Sequence, residues 1–170
     1  MANKLLNFTD DELGVIYRLV KEYEQNAPES DDDYHDGYYD EYTTPVESKV
    51  LNSILKKTGD NLTKHEKEEI DKDFLRKKYH TFNNSINERV YAVIEKAFSK
   101  LKSVEIEYFN MGSAEFSKRK IDVYYKSMRY TIGYCHLRKE IRKFRTSRIA
   151  SAKMTKDSYK IPSDFNKKDY

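Results

Sequence analysis

Lys102-Ser103-Val104-Glu105-Ile106-Glu107-Tyr108 is the stretch at which this chain changes its hydrophobic period. Val104, Ile106 and Tyr108 alternate with Glu105 and Glu107, the two-residue period of a strand with one buried face. Upstream, apolar residues recur at helical spacing; downstream, they fall in short β-rich runs separated by turns. Helices first and a small β-domain second make the expected class α+β.

Working backward, Thr9 and Glu12 form a Thr-x-x-Glu capping pattern ahead of Leu13, Ile16, Tyr17, Val20 and Tyr23, which predicts a helix over 10–25. Residues 26–45 hold Glu29, Asp31, Asp32, Asp33, Asp36, Asp40 and Glu41 together with Tyr34, Tyr38, Tyr39 and Tyr42, and no Lys or Arg. Like charges at that density repel, so the stretch between Pro28 and Pro45 reads as an acidic, Tyr-rich loop. Pro45 suits the first position of a second helix with Val46, Val50, Leu51, Ile54 and Leu55 on its apolar face, stopped at Thr58-Gly59-Asp60. A charged third helix over 63–80 offers Ile70, Phe74, Leu75 and Tyr79 to a core. A second capping pattern, Ser85-x-x-Glu88, introduces a fourth helix with Val90, Ile94, Ala97, Phe98 and Leu101 along one face.

Working forward, Phe116 to Tyr125, Tyr130 to Cys135 and Phe144 to Met154 supply further strands. Four or five short strands with tight turns predict a small β-barrel of about 65 residues. The expected organisation is a helical region over 1–100, containing the 26–45 loop, and a barrel over 101–170.

The 170 residues fit one domain or two small ones, and 36% charged residues, well mixed in sign, favour a globular chain. No apolar run reaches the roughly 20 residues of a membrane-crossing helix. The first residues lack the apolar core of a secretory signal, and a single cysteine, Cys135, permits no internal disulfide. A cytoplasmic protein with no membrane partner is expected. The net charge of +3 conceals an asymmetry: residues 101–170 carry 17 Lys and Arg against 8 Asp and Glu, while residues 1–100 carry 15 against 21. A basic C-terminal half suggests an anionic ligand or nucleic acid there, although attraction between the two halves is the alternative.

Catalytic motifs are missing. His65-Glu66 opens like a zinc-protease helix, but Glu69 stands where the second histidine belongs. Asp31, Asp33 and Asp36 suggest a calcium loop, yet Tyr42 occupies the position of its closing carboxylate. Cys135 reads as a buried strand residue, and the five glycines form no phosphate loop. No enzyme, no metal and no cofactor is expected.

The last 70 residues resemble a WYL domain, a family named for a Trp-Tyr-Leu run on one strand. The resemblance lies in an ordered series: Val104-Glu105-Ile106-Glu107-Tyr108, Arg119-Lys120-Ile121-Asp122-Val123-Tyr124, Tyr130-Thr131-Ile132-Gly133-Tyr134-Cys135, the run Glu140 to Ile149, and Ile161-Pro162-Ser163-Asp164-Phe165. It implies a small Sm-like or SH3-like barrel that senses a ligand, commonly nucleic acid or a nucleotide, in bacterial transcription regulators. Two departures stand out. The name-giving triplet is Arg129-Tyr130-Thr131, and Val123 replaces the proline usual after the acidic residue of the second strand. The N-terminal helical stretch from Phe8 also resembles the segment preceding such domains, but the residues before Thr9 hold no counterpart of the family's winged helix-turn-helix.

If residues 142–149 form one strand, Arg142, Phe144, Thr146 and Arg148 share one face, and Lys143, Arg145 and Ser147 the other. Tyr130, Ile132, Tyr134 and His136 share a face of the preceding strand. Guanidinium forks grip phosphate and aromatic rings stack bases, so Tyr130, His136, Arg142 and Arg148 are the candidate ligand site, with Arg145 and Ser127 behind them. The resemblance places the positions matching Tyr130, His136, Arg142 and Arg148 in or near the family's ligand pocket. One shared patch forms if His136 faces Arg142, whereas a shift of one residue sends the arginines to the opposite face. The expected function is a regulator, a homodimer or one acting on a partner, that binds a nucleic acid or nucleotide, single-stranded in preference to duplex. Two alternatives stay open: a protein that grips single strands directly, and a protein-interaction module whose arginines meet acidic side chains.

Overall fold

A computed structural model describes residues 7–26, 46–80 and 86–170; the acidic loop after Asn26 lies outside them. The element order is α1 (Asp10–Asn26), α2 (Ser48–Asn61), α3 (Lys64–His80), α4 (Glu88–Ser99), then β1 (Lys102–Asn110), β2 (Glu115–Lys126), β3 (Tyr130–Cys135), β4 (Glu140–Arg145), a 3₁₀ turn (Thr146–Arg148) and β5 (Ile149–Ser158). This is the expected α+β succession. The chain divides into two compact units, Met1–Asp71 and Lys72–Tyr170, and the division falls within α3.

In the N-terminal unit the Thr9–Glu12 box forms: the Thr9 amide donates to Glu12 Oε2 at 2.8 Å, and the Glu12 amide donates to Thr9 Oγ1 at 3.3 Å. Thr63 and Glu66 repeat it at α3, a further Thr-x-x-Glu box. The core of this unit contains Tyr17, Leu51, Leu62 and Ile70. Helix α2 does not stop at Thr58-Gly59-Asp60 but runs through to Asn61. Gly59 is there for proximity rather than termination: a Cβ on it would lie 3.1 Å from Tyr17 Cε2. Thr58 satisfies its buried hydroxyl by donating to the Ile54 carbonyl at 2.8 Å.

In the C-terminal unit α4 starts at Glu88, and its N-cap is Asn87, whose side chain accepts from the Val90 amide at 3.2 Å. The cap expected at Ser85 falls outside the described residues. Val90, Ile94 and Ala97 pack with Val104, Ile106, Ile121, Val123, Cys135, Phe144 and Ile149 to form the core. All five strands are antiparallel in the order β4-β3-β2-β1-β5.

The run expected as one strand from Phe144 to Met154 is two strands broken at Thr146–Arg148. Consecutive strands β4 and β5 are thus at opposite edges of the sheet. Five flat strands would separate those edges by roughly 19 Å at ~4.8 Å per strand. Three residues in 3₁₀ form advance only about 6 Å. The sheet must curl until its edges approach, so it is barrel-like although β4 and β5 do not pair.

The corner has neither Gly nor Pro to announce it. Buried Thr146 holds it instead: Oγ1 donates to the Ser127 carbonyl at 3.0 Å and lies 3.2 Å from Thr131 Oγ1, while its amide donates to the Arg129 carbonyl at 3.1 Å. A bulge at Val123/Tyr125 adds twist between β2 and β3. Opposite it, Gly133 is obligatory, since a Cβ there would sit 2.2 Å from the Asp122 carbonyl oxygen.

Candidate nucleic-acid interface

The β3–β4 register decides how the candidate residues assemble. Tyr130 stands opposite Arg145, Ile132 opposite Lys143, Gly133 opposite Arg142 and Cys135 opposite Glu140. Directly opposed residues share a face. Arg142 therefore lies on the side of Phe144 and Cys135, which is the core side, and Tyr130, Tyr134, Lys143 and Arg145 lie on the other. His136 does not face Arg142, and the alternation does not carry to Arg148, because the strand has already ended at Arg145.

Four of the six candidates meet at one end of the barrel. The Ser127 amide donates to the Tyr130 carbonyl at 2.8 Å, and the Tyr130 amide donates to Ser127 Oγ at 3.0 Å, closing the β2–β3 turn. Thr146 ties that turn to the 3₁₀ corner containing Arg148, and Arg145 is the cross-strand partner of Tyr130. Two cations that the candidate set omitted complete the patch. Lys143 Nζ lies 4.7 Å from the centre of the Tyr130 ring, and the Arg129 guanidinium lies 5.4 Å from it. Lys143 also donates to the main-chain oxygen of Tyr170. Lys167, 4.8 Å from the Tyr125 ring, extends the same pattern. No acidic residue occurs in 123–139 or in 141–156.

Arg148 has a distinct environment. Its Nε is buried and makes no hydrogen bond. A buried donor left unmet costs roughly 1–3 kcal/mol.

Of the other two candidates, His136 directly follows β3 and Arg142 lies on β4 opposite Gly133. His136 Nε2 is 3.0 Å from Asp122 Oδ1, and Arg142 Nη1 donates to Glu140 at 2.6 Å. The concavities lie elsewhere. A cavity of about 660 Å³ in the N-terminal unit, bordered by Phe8, Leu13, Ile16 and Ile54, is mostly apolar. A groove of about 400 Å³ across β2, β1 and β5 sets Lys118, Arg119, Lys120 and Lys153 against Glu105 and Glu107, so it keeps a basic surplus but has no aromatic ring in its lining. The corner is a half-exposed basic and aromatic surface, with Arg129 and Lys143 outermost, a form suited to a strand laid across it rather than to an enclosed small molecule. Among the described residues no group of three or more His, Cys, Asp or Glu side chains forms a metal site, and no helix is long and apolar enough to cross a membrane.

Residues 89–154 match the family model of the WYL domain, which takes in most of α4 and the sheet as far as Met154 in β5. No curated protein matches the chain. Among solved structures, it is similar to Proteasome accessory factor B/C (PafBC) of Arthrobacter aurescens, with 16% identity and a TM-score of 0.39 over 90% of this chain. The match covers 21% of that protein, so this chain spans about a fifth of its length.

Proposed function

We propose, from the WYL domain over residues 89–154, that this chain is a ligand-sensing regulatory protein whose barrel binds a nucleic acid, single-stranded in preference to duplex. Binding at the barrel corner is passed through the N-terminal helices to a partner or a second copy, within the cytoplasm. The observation that carries the reading is the Tyr130 ring with Lys143 and Arg129 beside it and Arg145 opposite it. Aromatic rings stack bases without regard to sequence, and the flanking cations take the phosphates. Arg148 adds a further positive charge in the 3₁₀ turn of the same corner.

Neighbouring residues on β4 provide the test, because they lie on opposite faces. In fluorescence anisotropy with a short labelled single-stranded oligonucleotide, Tyr130→Ala should weaken binding by about tenfold or more, in keeping with the ~1–3 kcal/mol of one base stacked on a ring. Lys143→Ala should weaken it severalfold, whereas Arg142→Ala should stay close to wild type. Loss confined to Arg142→Ala would move the site to the other face of β4. Full affinity in Tyr130→Ala would remove stacking from the account.

A further inference from the structure

At the far end of β3 a buried carboxylate makes contacts that packing alone does not require. Asp122 on β2 is only 7% exposed and stands opposite Tyr134. Burying a carboxylate is costly unless its lone pairs are met. Two groups meet it, both at Oδ1: the hydroxyl of Ser103, itself 2% exposed, donates at 2.5 Å, and His136 Nε2 lies at 3.0 Å. Lys120, a cation that also acts on Asp122, is paired instead with Asp157 at 2.6 Å.

An ionised carboxylate only accepts, so the proton of this contact sits on His136 Nε2. In the neutral ring Nδ1 is then a bare acceptor. The His136 side chain is 39% exposed, its ring makes no other hydrogen bond among the described residues, and the Tyr134 ring stands edge-on to it at 5.3 Å. A carboxylate-backed histidine is also the usual support of a metal ligand, but no third metal-binding side chain joins this one among the described residues.

We infer that Ser103 and Asp122 are positioning residues that hold His136 in its Nε2–H tautomer, so that Nδ1 accepts a hydrogen bond from an uncharged donor of the ligand, a base N–H or a ribose 2′-hydroxyl. The inference rests on the nucleic-acid function proposed above and adds a second contact to it. Tyr130 and His136 are six positions apart, roughly 20 Å at ~3.3 Å per residue. The corner holds phosphate and a stacked base, and the hairpin end reads a donor.

Imidazole ¹⁵N–¹H correlation spectra of the full chain, at about pH 8.5 and above the ordinary histidine range, should show the Nε2–H tautomer at His136 and a tautomer mixture in Asp122→Ala. A mixture already present in the wild type overturns the inference. His136→Gln and His136→Asn separate recognition from folding even if Asp122→Ala fails to fold. Gln places an amide nitrogen where Nε2 stood and keeps the bond to Asp122 while offering nothing at Nδ1; Asn places an acceptor oxygen near Nδ1. His136→Gln should melt close to wild type yet bind a short single strand on the order of fivefold more weakly, and His136→Asn should recover part of that loss. Equal losses with DNA and RNA of one sequence identify a base donor, and a loss with RNA alone identifies the 2′-hydroxyl. Unchanged binding by His136→Gln overturns the inference alone, whereas a wild type that binds neither strand removes the nucleic-acid function beneath it.

Discussion

Gly133 and Tyr130 show how single residues set the candidate site. Gly133 lets β3 pass the bulge on β2, where a side chain would meet the Asp122 carbonyl at 2.2 Å. Backbone on a paired strand has little freedom to move aside. Gly133→Ala should therefore destabilise the protein by ~3 kcal/mol or more, read as a lowered denaturant midpoint with an unchanged slope. Tyr130, Ser127, Arg145 and Arg148 were legible as candidates because their side chains suit stacking and phosphate contact. Lys143 and Arg129 were not. Strand alternation puts Lys143 on the face away from Arg142, and the choice between those faces depended on a register that composition does not encode. Arg129 lies in a turn, where no periodicity says which way a side chain points.

At the scale of elements, the switch of period at residue 102 places the first strand correctly, and the Thr9–Glu12 box marks the start of α1. The extents of α2 and of the last strands were harder to read. Gly59 looks like a stop in sequence but serves close packing against Tyr17, and the corner at Thr146–Arg148 is made by buried hydroxyl contacts rather than by turn-forming residues. Thr146→Val removes those contacts and leaves the Thr131 hydroxyl, 0% exposed, without its partner. A loss of about 1–3 kcal/mol is expected by urea denaturation, with weaker oligonucleotide binding as the Ser127–Tyr130 turn loosens. Asn87→Ala, which removes the α4 cap, should cost about 1 kcal/mol with oligonucleotide affinity unchanged. If Thr146→Val lowered stability while leaving affinity intact, the corner would be structural only.

For the whole molecule, a buried phenol in the N-terminal unit, Tyr17, and a half-buried one in the C-terminal unit, Tyr159, predict a response to alkali. Burial, then the hydrogen bond to Asp71 and its charge, push Tyr17 up to about 12. Burial, then the Asp122 charge, push Tyr159 up to about 12, and its hydroxyl donates to the Val123 carbonyl. Above the ordinary tyrosine value of about 10 the folded chain still holds protons that the unfolded chain has released. The stability these groups contribute is complete below about pH 10 and is lost as pH rises toward 12. Urea midpoints should fall across that window, less steeply in Tyr17→Phe and Tyr159→Phe; a flat profile would contradict the burial of these rings.

Charge operates at the same scale. The surplus of basic residues after position 101 was visible in the sequence, whereas the gathering of Arg129, Lys143, Arg145 and Arg148 at one corner emerged only from strand pairing and the 3₁₀ turn. We propose that this corner binds single-stranded nucleic acid through its phosphates and bases. Anisotropy of single-stranded and duplex oligonucleotides across a salt series tests it most directly. Four phosphate contacts predict a log–log slope of about −3 for the single strand, at ~0.7 per contact, with tighter binding than to duplex. A slope near zero, or no preference for the single strand, would contradict it.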